Sequence, residues 1–222
     1  MVTSLQELEE RIGALTDQNS TSPTVPGVVL LATNSSPNTE PHVFTTGIAS
    51  VSPDRTPSPP LAPTSTLWFA SATKLLTSIA ALQLVERNLW SLDRPVADAL
   101  PELGQLRELT LFNNAGQAIY ADGPPEGARI TLRHLLTHTS GMAYDFLNPK
   151  LMQWWKAHSA AEGRDMRAEA AGTILEGYGH PLVREPGTGW EYSPSIDWAG
   201  TLVAKLHGDE PVTSGRRFNG KF

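Results

Sequence analysis

The run from Phe69 to Glu86 reads Phe-Ala-Ser-Ala-Thr-Lys-Leu-Leu-Thr-Ser-Ile-Ala-Ala-Leu-Gln-Leu-Val-Glu and contains no Gly or Pro. It is long enough for a helix, and apolar residues cover most of its circumference. Helices of that kind are normally buried, so the rest of the chain is expected to pack around this one. Its first turn nevertheless carries Ser71 and Lys74. Side chains three apart on a helix share a face, so the hydroxyl and the amine can meet. A hydroxyl is a poor nucleophile until a nearby base takes its proton, and an adjacent lysine is one residue able to do so. The pair therefore reads as Ser71, nucleophile, and Lys74, its activator. The plain alternative is a serine near a helix start and a surface lysine, because Ser-x-x-Lys alone is a common pattern.

Composition bounds the chemistry. The chain has 222 residues, 40% hydrophobic and 18% charged, which suits a packed core. A net charge of −6 with no basic run argues against a nucleic-acid partner. The absence of cysteine excludes thiol catalysis, disulfides and thiolate metal sites. The acidic start, Met1 to Glu10, lacks the basic and apolar parts of a secretory signal. No apolar run approaches the roughly 20 residues of a membrane span. The expectation is a cytoplasmic protein with no membrane partner.

Along the chain, Leu5, Leu8, Ile12 and Leu15 recur at helical spacing behind Ser4, with Glu7 placed for a capping box, so residues 4–17 read as an amphipathic helix. Val28 to Thr33 and His42 to Ala49 read as paired strands. Five prolines between residues 51 and 66 make an extended loop. After the Ser71 helix, a short helical turn follows Pro95, and residues 110–127 read as turns. Helices are expected over 131–138, 148–158, 164–176 and 195–207, with loop from His180 to Ser195. All clear strands thus lie before Ser71. A two-stranded hairpin with one helix is not a stable sheet layer, so most of a sheet is expected to be missing. Gly208 to Phe222 is polar and without periodicity, and reads as a disordered tail.

Two further groups carry possible chemistry. His134 and His138 are four apart, a zinc-ligand spacing, but the residue after His134 is Leu135 and no carboxylate offers a third ligand. They are expected to hydrogen-bond locally, and no metal is assigned. Tyr192 lies in a loop rich in Pro and Gly, Glu185 to Pro194. Such a tyrosine is either a packed aromatic with a bonded hydroxyl or, beside a cation, a phenol whose pKa falls towards a useful range. No phosphate loop, dinucleotide fingerprint or paired carboxylates are present, and no cofactor is assigned.

Three stretches in order carry a resemblance: Phe69-Ala-Ser-Ala-Thr-Lys74, Leu135-Leu-Thr-His-Thr-Ser-Gly-Met142 and Glu185-Pro-Gly-Thr-Gly-Trp-Glu-Tyr-Ser193. Together they resemble the serine β-lactamase-related family of class C β-lactamases, D-alanyl-D-alanine carboxypeptidases, family VIII esterases and fungal lovastatin-type transesterases. The likeness spans Pro26 to His207 and is nearest the fungal esterase and transesterase branch. It implies Ser71 as the acylated nucleophile, Lys74 beside it and Tyr192 as proton shuttle. It also implies that the Ser71 N–H supplies half of an oxyanion hole, and that His138 to Gly141 is a structural turn. Tyr192-Ser193-Pro194 departs from the β-lactamase Tyr-x-Asn, which argues against β-lactams. Nothing after Tyr192 matches the family's third motif.

The resemblance implies an α/β (α+β) fold of the β-lactamase/transpeptidase type in incomplete, truncated form. Residues 1–207 would form the family domain, with 1–66 helix and strands and 67–207 mainly helical, and 208–222 an unrelated tail. The implied function is acyl transfer from an ester or thioester, through an acyl-enzyme on Ser71, to an alcohol or water. An acyl-carrier or polyketide synthase partner is compatible with that. The alternatives are an inactive truncated homologue and, behind it, a β-lactamase or peptidase. Trp68 and Trp190 could line an acyl pocket, as could Trp154 and Trp155, or they could simply pack.

Overall fold

The computed structural model describes residues 4–17, 19, 25–36, 38–51, 58–122, 129–162 and 173–207. The chain divides into two compact units, Met1–Trp68 and Phe69–Phe222. The expected tail from Gly208, the expected helix up to residue 172 and the Pro-rich stretch 52–57 lie outside the described residues.

In the first unit, α1 (Leu5–Thr16) starts where Ser4 Oγ accepts the Glu7 N–H at 3.1 Å. Its inner face meets an antiparallel hairpin of β1 (Gly27–Ala32) and β2 (His42–Gly47), in register from Gly27 opposite Gly47 to Ala32 opposite His42. Two polar contacts tie helix to strand: Thr16 Oγ1 to Thr46 Oγ1 at 2.8 Å, and Glu9 to His42 at 2.8 Å.

In the second unit, a 3₁₀ turn (Ala70–Ala72) runs into α2 (Thr73–Glu86). The element order is then β3 (Leu109–Phe112), β4 (Ala118–Tyr120), α3 (Leu132–Leu136), α4 (Pro149–Glu162), α5 (Ile174–Tyr178) and α6 (Ser195–His207), with 3₁₀ turns at Val96–Asp98 and Pro101–Gln105. The core forms where α2, α3 and α6 meet, around Leu84, Val96, Leu132, Leu135, Met142, Trp198 and Leu202. α6 supplies its apolar positions at helical spacing: Ile196, Ala199, Leu202 and Val203 are all buried.

α2 is less enclosed than its all-round apolar sequence predicts. It buries Ala80, Ala81 and Leu84, while Leu75 (66% exposed), Ile79 and Leu82 face outward. Among the described residues α2 packs most extensively on α6, and the stripe of Ala80, Ala81 and Leu84 is the one covered.

The reading of everything after Ser71 as helix and loop is corrected by β3 and β4. These strands pair antiparallel, from Leu109 opposite Tyr120 to Phe112 opposite Ala118. The Asn and Gly residues that suggested an irregular stretch make the hairpin's turn instead. Asn113 Oδ1 accepts the N–H groups of Ala115 and Gln117 at 3.0 and 2.9 Å, and Gly116 takes φ 75°. The hairpin supports the segment leading to Tyr192, because Leu109 N–H donates to Leu182 O and Leu182 N–H to Arg107 O. Lys150 Nζ caps the same junction, donating to Leu109 O at 3.2 Å and Val183 O at 3.3 Å. Among the described residues no helix is long and apolar enough to cross a membrane. The fold is mixed helix and sheet, as expected.

Candidate active site

Ser71 sits in the 3₁₀ turn and Lys74 is the second residue of α2. Residues three apart nearly eclipse in 3₁₀ geometry, so local structure alone puts both side chains on one face. Ala70, just before Ser71, has φ 45°. A residue with a Cβ enters that left-handed region at a cost of about 1–2 kcal/mol. Such strain gathers at functional sites. Ser71 itself is exposed, and its N–H belongs to the opening turn of a helical run, where donors lack intrahelical acceptors.

Tyr192 reaches this turn from 121 residues away and donates its hydroxyl to Ser71 Oγ at 2.8 Å. Long-range bonds hold its loop. Gly187 N–H donates to Thr139 O at 2.8 Å, and Glu191 N–H to His138 O at 3.0 Å. The Glu191 carboxylate accepts from Arg184 Nη2 at 2.7 Å and Asn148 Nδ2 at 2.6 Å. Gly141, φ 83°, permits the tight approach, since a Cβ there would lie 2.2 Å from Arg184 O.

The Lys74 Nζ lies 5.2 Å from the Tyr192 ring centre and 5.9 Å from that of Tyr144. The Tyr192 phenol is held below its ordinary range, first by the bond to Ser71 and then by the Lys74 amine, with partial desolvation pulling the other way. This geometry can move a proton. The neutral phenol donates to Ser71. Once ionised it accepts from Ser71, and the serine is then poised to lose its proton as Oγ attacks.

A hollow of about 240 Å³ opens on the Lys74 side, lined by Thr73, Lys74 and Thr77 of α2, Tyr178 of α5, and Asp197 and Thr201 of α6, among others. Asp197 faces solvent in this hollow, yet protein surrounds it elsewhere. Desolvation pushes its carboxyl above the usual range, against the pull of Lys74 and a 3.4 Å bond from the Tyr144 hydroxyl. Burial, then Asp197, likewise raises the Tyr144 and Tyr178 phenols, so both stay neutral.

The structure thus brings Ser71, Lys74 and Tyr192 together. Trp190 is 64% exposed and meets the His138 ring edge-on at 6.2 Å. Trp68 closes the first unit and is 93% exposed. The hollow is lined by no tryptophan, and Trp154 instead donates to the Tyr120 hydroxyl at 2.8 Å. His134 does bond locally, its Nδ1 accepting the Thr131 N–H at 3.3 Å. His138 does not: its Nδ1 lies 3.1 Å from Ser193 Oγ, and its ring 4.9 Å from that of Tyr192. Neither Asp197 nor His138 was expected beside this cluster: the sequence leaves Asp197 without a role, and the family resemblance puts His138 in a structural turn. An Asp in a helix's first turn ordinarily answers the helix dipole, so nothing in the sequence marked Asp197.

A family profile for Beta-lactamase matches residues 12–214. A lovastatin esterase from Penicillium rubens is 42% identical over 142 residues, 64% of this chain and 34% of that protein. A monacolin J acid methylbutanoyltransferase from Aspergillus terreus is 40% identical over 185 residues, 83% of this chain and 42% of that protein. An unliganded simvastatin synthase structure from Aspergillus terreus superimposes with a TM-score of 0.73 at 36% identity, covering 91% of this chain and 48% of that one. The chain therefore spans less than half the length of these relatives.

Proposed function

This chain belongs to the beta-lactamase family, and from that premise we propose that it is a serine acyltransferase or esterase. The observation that carries the reading is the 2.8 Å contact between the Tyr192 hydroxyl and Ser71 Oγ, with Lys74 beside both. Tyr192, as phenolate, takes the Ser71 proton while Oγ bonds to the carbonyl carbon of an ester or thioester. The tetrahedral oxyanion is met by the Ser71 N–H. The donor's C–O or C–S bond then breaks, and the leaving oxygen or sulfur takes the proton back from Tyr192. An alcohol or water next gives its proton to Tyr192 and attacks the acyl-Ser71 ester, and Oγ leaves and is reprotonated. Lys74 stabilises the negative charge that Tyr192 carries in both halves. No cofactor enters this sequence.

Ester chemistry is favoured over β-lactam chemistry because Pro194 is fully buried and accepts at the start of α6, from Asp197 N–H at 3.0 Å. It offers no amide to a substrate. The printed names of the relatives, an esterase and a methylbutanoyltransferase, agree with that choice. Ser71 is open to solvent, which leaves room for a thioester carried by a protein such as an acyl-carrier domain or a polyketide synthase.

The test is direct. Mixed with a p-nitrophenyl ester and quenched, the protein is expected to gain the mass of one acyl group, and peptide mapping should place it on Ser71. A folded protein that takes up no acyl group would support the alternative of a non-catalytic homologue. The hollow beside Lys74 is the proposed acyl pocket. Thr77→Phe, which fills it from α2, is expected to lower kcat/KM for a five-carbon acyl ester about 10-fold or more while sparing the acetyl ester, on the scale of one to two lost methylene contacts. Equal losses for both esters would place the acyl chain elsewhere.

A further inference from the structure

The turn after α3 breaks a local preference. With Thr137 as the helix cap, His138 N–H donates to Leu135 O at 3.4 Å and Thr139 N–H to His134 O at 3.0 Å. Those two bonds form a Schellman motif, whose left-handed position normally falls to Gly, sometimes Asn. Here it is a histidine, with φ 56°. A locally unfavourable backbone conformation persists when contacts made elsewhere hold it in place.

The side chain and backbone of His138 hold three consecutive residues around Tyr192. The imidazole Nδ1 accepts the Ser193 N–H at 3.3 Å and lies 3.1 Å from Ser193 Oγ. The ring packs 4.9 Å from that of Tyr192, and the carbonyl accepts the Glu191 N–H at 3.0 Å. Behind it, Ser193, Ser195 and Ser140 make a buried chain of hydroxyl contacts at 2.7 and 2.6 Å. We infer that His138 is the positioning residue for Tyr192: its neutral imidazole holds the Glu191–Ser193 segment so that the phenol meets Ser71 Oγ. This rests on the reading of Tyr192 as the proton carrier of acyl transfer.

The bond from Ser193 N–H requires Nδ1 unprotonated, which assigns the ring proton to Nε2. The titratable groups facing the ring are Lys74 from α2 and the phenol of Tyr192. Glu191 is turned away to Arg184 and Asn148. Desolvation, then Lys74, lowers the pKa of His138 below the ordinary imidazole range. The grip is therefore intact above that range and is lost as pH falls through the lowered value, when a proton on Nδ1 confronts the Ser193 N–H.

Two variants test this. His138→Gly relieves the backbone cost and removes every side-chain contact. His138→Asn tolerates the left-handed backbone and can return an acceptor oxygen near the Nδ1 position. Both are expected to unfold at temperatures close to the wild type. His138→Gly should slow labelling of Ser71 by a fluorophosphonate about 10–100-fold, the scale of a misplaced catalytic group. It should also return the Tyr192 phenol, isolated as the ultraviolet titration difference from Tyr192→Phe, towards the ordinary range. His138→Asn should recover part of the rate and lose the second, steeper fall of the wild-type profile below the imidazole range, while keeping the rise that belongs to the Tyr192 phenol. A His138→Gly protein with wild-type labelling and an unchanged phenol titration would overturn the inference. A wild type that never labels, with a phenol shifted in His138→Gly, would sink the acyl-transfer reading and leave the hold on Tyr192 standing. If His138→Gly does not fold, His138→Asn decides alone: a second fall below the imidazole range that persists in it, beyond the slope set by the Tyr192 phenol, overturns the role of the neutral imidazole.

Discussion

Ser71→Ala is expected to abolish acyl transfer, with ester turnover falling about 10³-fold or more, since removal of a nucleophile takes with it the covalent route its partners serve. The fold should not notice. Ser71 is exposed, and the bond its hydroxyl makes among the described residues is to Tyr192, at the rim of the site. Alanine is also the best helix former for a position leading into α2. Thermal unfolding unchanged from the wild type, together with loss of both fluorophosphonate labelling and acyl mass gain, is the expected pair of results. Labelling that survives in the alanine variant would move the nucleophile elsewhere.

Tyr192→Phe separates the proton from the ring. Phenylalanine keeps the packing against His138 at 4.9 Å and Tyr144 at 5.5 Å, and deletes only the hydroxyl that meets Ser71 at 2.8 Å. The rate should fall about 10²–10⁴-fold, the contribution of a well-placed general base. The pH profile supplies the sign. A phenol held below its ordinary value of about 10 by Ser71 and Lys74 is ionised to a larger fraction at a given pH than a free tyrosine. The wild-type rate should therefore rise with pH through that lowered value and level off before the ordinary tyrosine range is reached. Tyr192→Phe should lack this rise. If the rise persists in the phenylalanine variant, another group is the base.

Much of the fold could be read from local pattern. α1 and α6 were legible from apolar residues at helical spacing, and α3 from Thr131, whose Oγ1 does cap the His134 N–H. The β3–β4 hairpin was missed for an identifiable reason. Thr110-Leu-Phe and Ile119-Tyr120 are strand formers flanking Asn113-Asn114-Ala115-Gly116, a hairpin signal, but the density of turn residues downstream outweighed two strands of four and three residues. The enclosure of α2 was overestimated because periodicity shows which faces are apolar and cannot show which face another element will cover.

The amino-acid sequence by itself determined the pairing of Ser71 with Lys74. Both lie within one turn, so backbone geometry sets their approach whatever surrounds them. From the sequence, His138 is only a local hydrogen-bonding residue and part of a turn; its left-handed φ and its contacts to Ser193 are visible only in the fold. The tertiary structure alone decided the rest. Tyr192 meets Ser71 across 121 residues because its loop is bonded to the turn after α3 and to Arg184 and Asn148. Asp197 joins Lys74 around one hollow because α6 packs along α2. Those placements depend on long-range hydrogen bonds and helix packing, whose free energy is gained only when distant segments are already in place, and no spacing along the chain encodes them.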